Sequence, residues 1–326
     1  MSTNAIRSAG TVVRYVKETT AGTDPGSFTI TLAALGAHLQ KKQARTARQS
    51  LFQGSGGLVQ SGFIDGRTEV PWSASHYLSY KGMGLILSLL LGDGSTSGSG
   101  PTYTHTWDLE KDPKTATIAV VEGQGLGSLS TQRHEGHGCV VSSATLRVEA
   151  HGNMQIDLEG FGMSADAPAG AAAITVTNAA HMEVHGHHAG TLAWNGINYN
   201  LISLELTIPN GQVFRDALGS GGTLRPYSVN LKDVQLRVVM EKVGDAFVTG
   251  NTAGTSSDAV ITFTDPVNSH TLAITIHNAI AFDTDGGRKE GFNLIQETVI
   301  FKPQQDSTDS GVSIVIVNDQ SSAEAA

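Results

Sequence analysis

Apolar and polar residues alternate with a period of two along most of the chain, the pattern of strands with one buried face. In "ATLRVEA", Leu146, Val148 and Ala150 fall on one face; after Gly152-Asn153, "MQIDLEG" puts Met154, Ile156 and Leu158 on one face. Two such runs around Gly-Asn predict a β-hairpin. "ISLELTIP", with Ile202, Leu204, Leu206 and Ile208 in phase, runs into Asn210-Gly211 and then "QVFRDAL". Asn-Gly tolerates positive φ, so a second hairpin is expected there. "SATLRV" and "SLELTI" share one pattern, as a tandem duplication would leave it. Further strands are expected in "VQLRVVM", "LAITIHN", "LIQETVIFKP" and "VSIVIVND"; the last is apolar on both faces, so cover on both sides is expected. Helical spacing is clearest in "SHYLSYKGMGLILSLLLG", where Met83, Ile86, Leu87 and Leu90 recur at i, i+3, i+4 and i+7. This predicts a helix over about 75–91, with Ser75 capping its start and Gly92 ending it.

The connections divide the chain. "ADAPAGAAA" has linker composition at mid-chain and predicts a first domain over 1–165, a linker over 166–174 and a second domain over 175–326. "GDGSTSGSG" and the terminal "QSSAEAA" read as loose segments. "QKKQARTARQSLFQGSGGL" reads as a long polar loop carrying Lys41, Lys42, Arg45 and Arg48; a loop of that length in a compact domain reaches a partner or carries function.

Composition sharpens this picture. The 326 residues suffice for two cores, and 38 Gly against 9 Pro, with only 16% charged residues, fit many short strands and turns. The fold class expected is mainly β: two tandem β-sandwich or barrel-like domains with one clear flanking helix. A net charge of −9 without a run of one sign argues against tight nucleic-acid binding, which needs a basic surface. Cys139 is the single cysteine, so no intrachain disulfide is expected. The N-terminus lacks a signal-peptide pattern and the apolar run Leu85 to Leu91 is too short to span a bilayer, which predicts a soluble protein made in the cytosol.

Candidate chemistry concentrates in "HMEVHGHHAG". As a strand, it would place His181, Glu183, His185 and His187 on one solvated face. As a metal site, His181, His185 and His187 would be the ligands, but a catalytic zinc needs three ligands with a second shell and an open position, and no further motif is tied to them. The solvated strand is the better account. "QRHEGHGC" offers His134, His137 and Cys139 without the helical H-E-x-x-H spacing; a Gly-rich loop entering a strand explains it more simply. "FDTDGG" starts like a calcium loop at Asp283 and Asp285 but has Gly287 where a third oxygen ligand belongs, so a hairpin turn is preferred. A nucleophile elbow and a P-loop are both missing. No enzyme activity and no cofactor are expected.

The order of these features resembles the tail tube proteins of long-tailed bacteriophages, in the larger kind with two tube domains in tandem. The resemblance runs from "RTARQS" through "GFIDGRTEVPWSASHYLSYKGMGLILSLLLGDGS", "TYTHTWDL" and "GCVVSSATLRVEAHGNMQIDLEGFG" to "INYNLISLELTIPNGQVFRDALGSGGTLRPYSVNLKDVQLRVVM" and "GRKEGFNLIQETVIFKP", most of residues 40 to 305. It implies a structural virion protein of the tail, assembled in the host cytoplasm. Three chains would form a pseudo-hexameric ring, and stacked rings the channel for DNA ejection. Its partners would be copies of itself and the tape measure, terminator and tip or baseplate proteins, and DNA would pass without specific binding. The loop with Lys41, Lys42, Arg45 and Arg48 would contact the next ring. The polar faces of the two hairpins, with Thr145, Arg147 and Glu149 in one and Ser203, Glu205 and Thr207 in the other, would lie side by side and line the lumen. Competing readings are another β-rich virion or tube component, a metal-binding enzyme built on the histidines, and a carbohydrate-binding sandwich; the last is disfavoured by 6% aromatic residues with Trp72, Trp107 and Trp194 spread out.

Overall fold

The computed structural model describes residues 11–50, 59–110, 114–122, 132–167, 169–170, 183–215, 224–228, 233–242, 249, 253–285, 296–304 and 311–323, with backbone only for parts of these. In chain order the strands are β1 (Val12–Lys17), β2 (Ile30–Ala33), β3 (Gly36–Leu39), β4 (Lys42–Ser50) and β5 (Val59–Tyr77). Helix α1 (Gly84–Leu90) follows, then β6 (Ser95–Ser99), β7 (Thr102–Asp108), β8 (Ala116–Glu122), β9 (Gln132–Glu149) and β10 (Gln155–Gly162). Short β11 (Ser164–Ala165) and β12 (Ala169–Gly170) precede a 3-10 turn (Gly186–His188) and β13 (Ala189–Trp194). The chain ends with β14 (Ile197–Pro209), β15 (Gln212–Arg215), β16 (Leu224–Ser228), β17 (Gln235–Glu241), β18 (Ser257–Thr264), β19 (Thr271–Asp285), β20 (Gln296–Pro303) and β21 (Val312–Asn318). The fold is mainly β, as expected, and its ladders are antiparallel.

One broad sheet runs in the order β3-β5-β10-β9-β14-β17-β20-β19. Three strands leave it for a second layer, one of them β14, whose first part pairs β13, which in turn pairs β18. The first part of β9 pairs β8, which continues through β1 to β2. The change of direction falls near Gly138, at φ +62 with Met163 filling the space a side chain would need, and at a bulge opposite Glu159 and Gly160. The first part of β19 likewise pairs β18 and β21. β21 then pairs β7, so a strand from early in the chain sits beside the last one, from Ser313↔Asp108 to Asn318↔Tyr103. Val315 and Val317 of β21 are only half-buried, so that apolar strand is covered fully on one face alone.

The inner faces follow the alternation read from the sequence. Leu146, Val148, Ile156, Leu158, Leu204, Leu206, Leu236 and Val238 join Ile261, Phe263, Ile274 and Ile314 in one continuous core. The Gly152-Asn153 hairpin forms as expected, with Gln155 opposite Arg147.

Two expectations on local structure are corrected. The helix begins at Gly84, not Ser75, and its N-cap is Met83 with no side-chain cap bond. Residues up to Tyr77 belong to β5, because Trp72, Ala74, His76 and Leu78 are buried in alternation. A period of two overrides the helical spacing there, and Gly82 at φ +80 breaks the chain before the helix. Every residue of α1 is buried, as a helix apolar all round should be. Nor does Asn210-Gly211 close a hairpin: β15 pairs β16, while β14 pairs β9, β13 and β17. Gly211 does take positive φ. Asn210, however, is buried and donates from Nδ2 to the carbonyls of Leu90 (3.0 Å) and Val141 (3.1 Å). The first of these satisfies a carbonyl left open at the end of α1, so the residue anchors a helix to the sheet.

Candidate functional site: a polar sheet face and a projecting hairpin

The β9–β14 ladder brings the two similar sequence segments into direct register. Glu149 lies opposite Ser203, Arg147 opposite Glu205, and Thr145 opposite Thr207. Directly opposed residues in an antiparallel pair share a face, so all six residues named from the hairpin patterns occupy one surface. Arg147, Glu149 and Glu205 are exposed; Thr145, Ser203 and Thr207 are half-buried. The juxtaposition comes from β14 pairing with β9, not from a second hairpin.

The same surface extends across neighbouring strands. Arg147 faces Gln155 on one side, and Glu205 faces Arg237 on the other, so charge alternates along one row from Arg147 through Glu205 to Arg237. Arg147 Nη2 is 3.1 Å from Asp157 Oδ2, and Gln155 Nε2 donates to Asp157 Oδ1 at 2.7 Å. Such exposed pairs each contribute a fraction of a kcal/mol, about 0.2–1. Over β10, β9, β14 and β17 the outward carboxylates are Asp157, Glu159, Glu149, Glu205 and Glu241, against the cations Arg147 and Arg237. The surface is therefore acidic in balance. It is hollowed into a groove of about 560 Å³ lined by Tyr77, Arg147, Glu149, Gln155, Glu205 and Arg237 among others.

The segment read as a long polar loop is a two-stranded arm. β4 pairs β5 from Lys42↔Glu69 to Ser50↔Val59, with bulges at Gln43/Arg45 and Arg48/Gln49. Residues 51–58 lie outside the described part. From Thr68 back to Val59, β5 pairs β4 alone among the described residues, whereas Val70 onward also pairs β10. The arm therefore leaves the sheet by about ten residues, roughly 30 Å. Lys41 Nζ donates to the Ala165 carbonyl at 3.3 Å and Lys42 is exposed at its base; the side chains of Arg45 and Arg48 lie outside the described part.

The histidines do not form the expected solvated strand. His181 lies outside the described residues. Glu183 and His185 make single bridges to Ser79 and Asn153, and Gly186–His188 is a 3-10 turn in which Gly186 lies too close to the Glu149 carbonyl for a side chain. His185 and His187 touch through their Nδ1 atoms, with ring centroids 4.1 Å apart. His188 packs edge-on against His187, with ring centroids 4.4 Å apart, and also stacks on Tyr80, its Nδ1 3.3 Å from the phenol oxygen. Burial, then the neighbouring His187, holds the His185 and His188 imidazoles below their ordinary values. The group sits at the rim of the polar face, beside the β9–β10 turn.

Of the second histidine motif, Cys139 points into the core and burial pushes its thiol well up, so it is no exposed ligand. His137 instead lies near Glu135, Asp24 and Asp166, a convergence that no local spacing could reveal, since Asp24 is far away in sequence. Asp283 and Asp285 lie in β19 opposite Ile300 and Thr298 of β20, in strand and not in the expected turn; Gly286 and Gly287 lie outside the described residues.

No curated protein matches the chain. A family model described as phage tail tube protein matches residues 8–314, nearly its whole length. That match shows that this chain, with its β-rich sandwich, belongs to the phage tail tube protein family.

Proposed function

We propose that the chain is a major tail tube subunit whose eight-strand sheet supplies one third of the wall of a channel for DNA. The observation that carries this reading is the continuous polar face joined across β9 and β14. Strands stand about 4.8 Å apart, so three copies of this sheet close into a ring roughly 37 Å across between backbones. That leaves room for a duplex and for side chains on both walls. In this reading residues 1–165 and 175–326 are two tube domains joined by 166–174, which makes a trimer pseudo-hexameric. The open edge at β3 and the end of β19 past Ala281, both without a further strand partner among the described residues, favour lateral pairing between copies.

The acidic wall fits passage without retention, because phosphates are held by cations that release counterions. Thr145, Arg147, Glu149, Ser203, Glu205 and Thr207 face the lumen in this arrangement. The β4–β5 arm, with Lys41, Lys42, Arg45 and Arg48, reaches the next ring; an isolated two-stranded ribbon is marginal in water and gains most from a docking partner. The role is structural, in the virion tail, with assembly in the host cytoplasm and with contacts to tape measure, terminator and tip proteins at the tube ends. Negative-stain microscopy of the concentrated protein tests the reading. Rings or tubes with a central hole are expected; a monomer at every concentration would overturn it.

A further inference from the structure

The β1–β2 loop, the first part of β9 and the segment after β11 bring Asp24, Glu135, His137 and Asp166 together away from the polar sheet face. One ligand atom each from Asp24, Glu135 and His137 lies within 4.8 Å of the others, and His137 Nε2 is 3.4 Å from Asp166 Oδ1. The hydrogen-bond chain behind the histidine orients its ring. The Thr117 hydroxyl gives its one hydrogen to Glu18 Oε1, 2.8 Å away. Thr117 can then only accept from His137 Nδ1, at 3.3 Å. With Nδ1 engaged by Thr117, Nε2 is the ring nitrogen that faces the carboxylates. Metal-binding histidines are oriented in this way, by a second-shell acceptor on the far nitrogen.

A second observation comes from Glu135. Its side chain is 5% exposed, and its Oε2 is buried without a hydrogen bond. Arg133 Nε stands 3.0 Å away as a charge contact only. Burial pushes the Glu135 carboxyl up; Arg133 opposes this and Asp24 adds to it.

We propose that Asp24, Glu135 and His137 form a divalent-cation site, with Asp166 alongside, that fastens the β1–β2 loop to β9. One imidazole and two carboxylates suit a first-row transition ion such as zinc. Bonds of about 2.1 Å at tetrahedral angles bring ligand atoms to roughly 3.4 Å of each other, so the cluster must contract. Asp24 is the member free to move, being exposed on a loop. Its Oδ1 accepts from Gly26 N at 2.8 Å, a turn that Asn would preserve.

Calorimetric titration of chelator-stripped full-length protein with zinc chloride tests the site. One zinc per chain is expected in the wild type. Asp24→Asn should weaken binding at least tenfold with an unchanged circular dichroism spectrum. Arg133→Gln should tighten it several-fold, because the competing cation is gone; a merely structural Arg133–Glu135 pair would not give that gain. Changing His185, His187 and His188 together to Gln should leave the stoichiometry intact. Absence of binding by the folded wild type, equal affinity in Asp24→Asn, or loss of zinc in the triple histidine variant would each overturn the proposal.

Discussion

His76 shows how one buried side chain couples this fold to pH. It lies in β5, wholly inside the core, where Nδ1–H donates to the Ala33 carbonyl at 2.9 Å and Nε2 accepts from the Tyr15 hydroxyl at 2.7 Å. Burial pushes its pKa down to about 4. The unfolded chain, at about 6.5, binds the proton more readily. Stability is therefore full above pH 6.5 and falls as pH drops toward 4, by about 3 kcal/mol for this residue. His76→Gln keeps a donor and an acceptor, so it should flatten the fall of melting temperature over that window; His185, His188 and His270, also held low, leave a residual slope of the same sign. An unchanged slope in thermal melts from pH 7 to 4 would argue against this assignment. Asn210 makes a second residue-scale case. Asn210→Ala removes both Nδ2 bonds, to the end of α1 and to β9, and strands buried carbonyls, so a loss of about 2 kcal/mol in denaturant unfolding is expected. At this scale the sequence was a poor guide: Asn210-Gly211 carries the residue types of a turn, and only the packing of α1 against β9 decides that the asparagine is a strut.

Among the elements, the β4–β5 arm is the most separable. Its outer part pairs only with itself among the described residues, while the inner part of β5 is held by β3 and β10. Replacing residues 44–66 with a short Gly-Ser connection keeps the Lys42↔Glu69 and Gln43↔Thr68 pairs. The shortened subunit should fold with its melting temperature nearly unchanged, yet form no stacked tubes by microscopy; tubes of normal length would refute an inter-ring role for the arm. The segment's basic and polar composition marked it as an outward projection, but its period was obscured. Bulges at Gln43/Arg45 and Arg48/Gln49 shift the alternation by a residue, so the sequence carries no continuous strand pattern there. The helix is legible through Met83, Ile86, Leu87 and Leu90, but its start is not, because "WSASHYL" carries a strand pattern whose buried members include Ser-flanked Ala74 and His76.

For the whole molecule, the acidic polar face makes a prediction about transport. Glu149 and Glu205 are exposed, so changing both to Lys should leave the subunit folded. A wall so altered would hold phosphates and slow genome ejection at low salt, with recovery at high salt as the charges are screened over about 8 Å or less. Ejection rates from virions carrying the double variant, with tails of normal appearance, provide the check. Wild-type rates at low salt would mean that these residues do not line the channel.

Strand phase, and with it which residues are buried, is written in the sequence, because the backbone pleat forces a period of two wherever one face meets a core. Hence the alternation alone separates Leu146, Val148, Leu204 and Leu206 from their polar alternates. Family membership was legible in the order of those segments. Which strand pairs with which was not, because the ladder uses backbone groups that every residue carries. The joining of β9 to β14, the placing of β7 beside β21, and the meeting of Asp24 with Glu135 and His137 all link positions far apart in the chain. Those contacts were decided by the packing of two layers around one core, which local spacing does not encode.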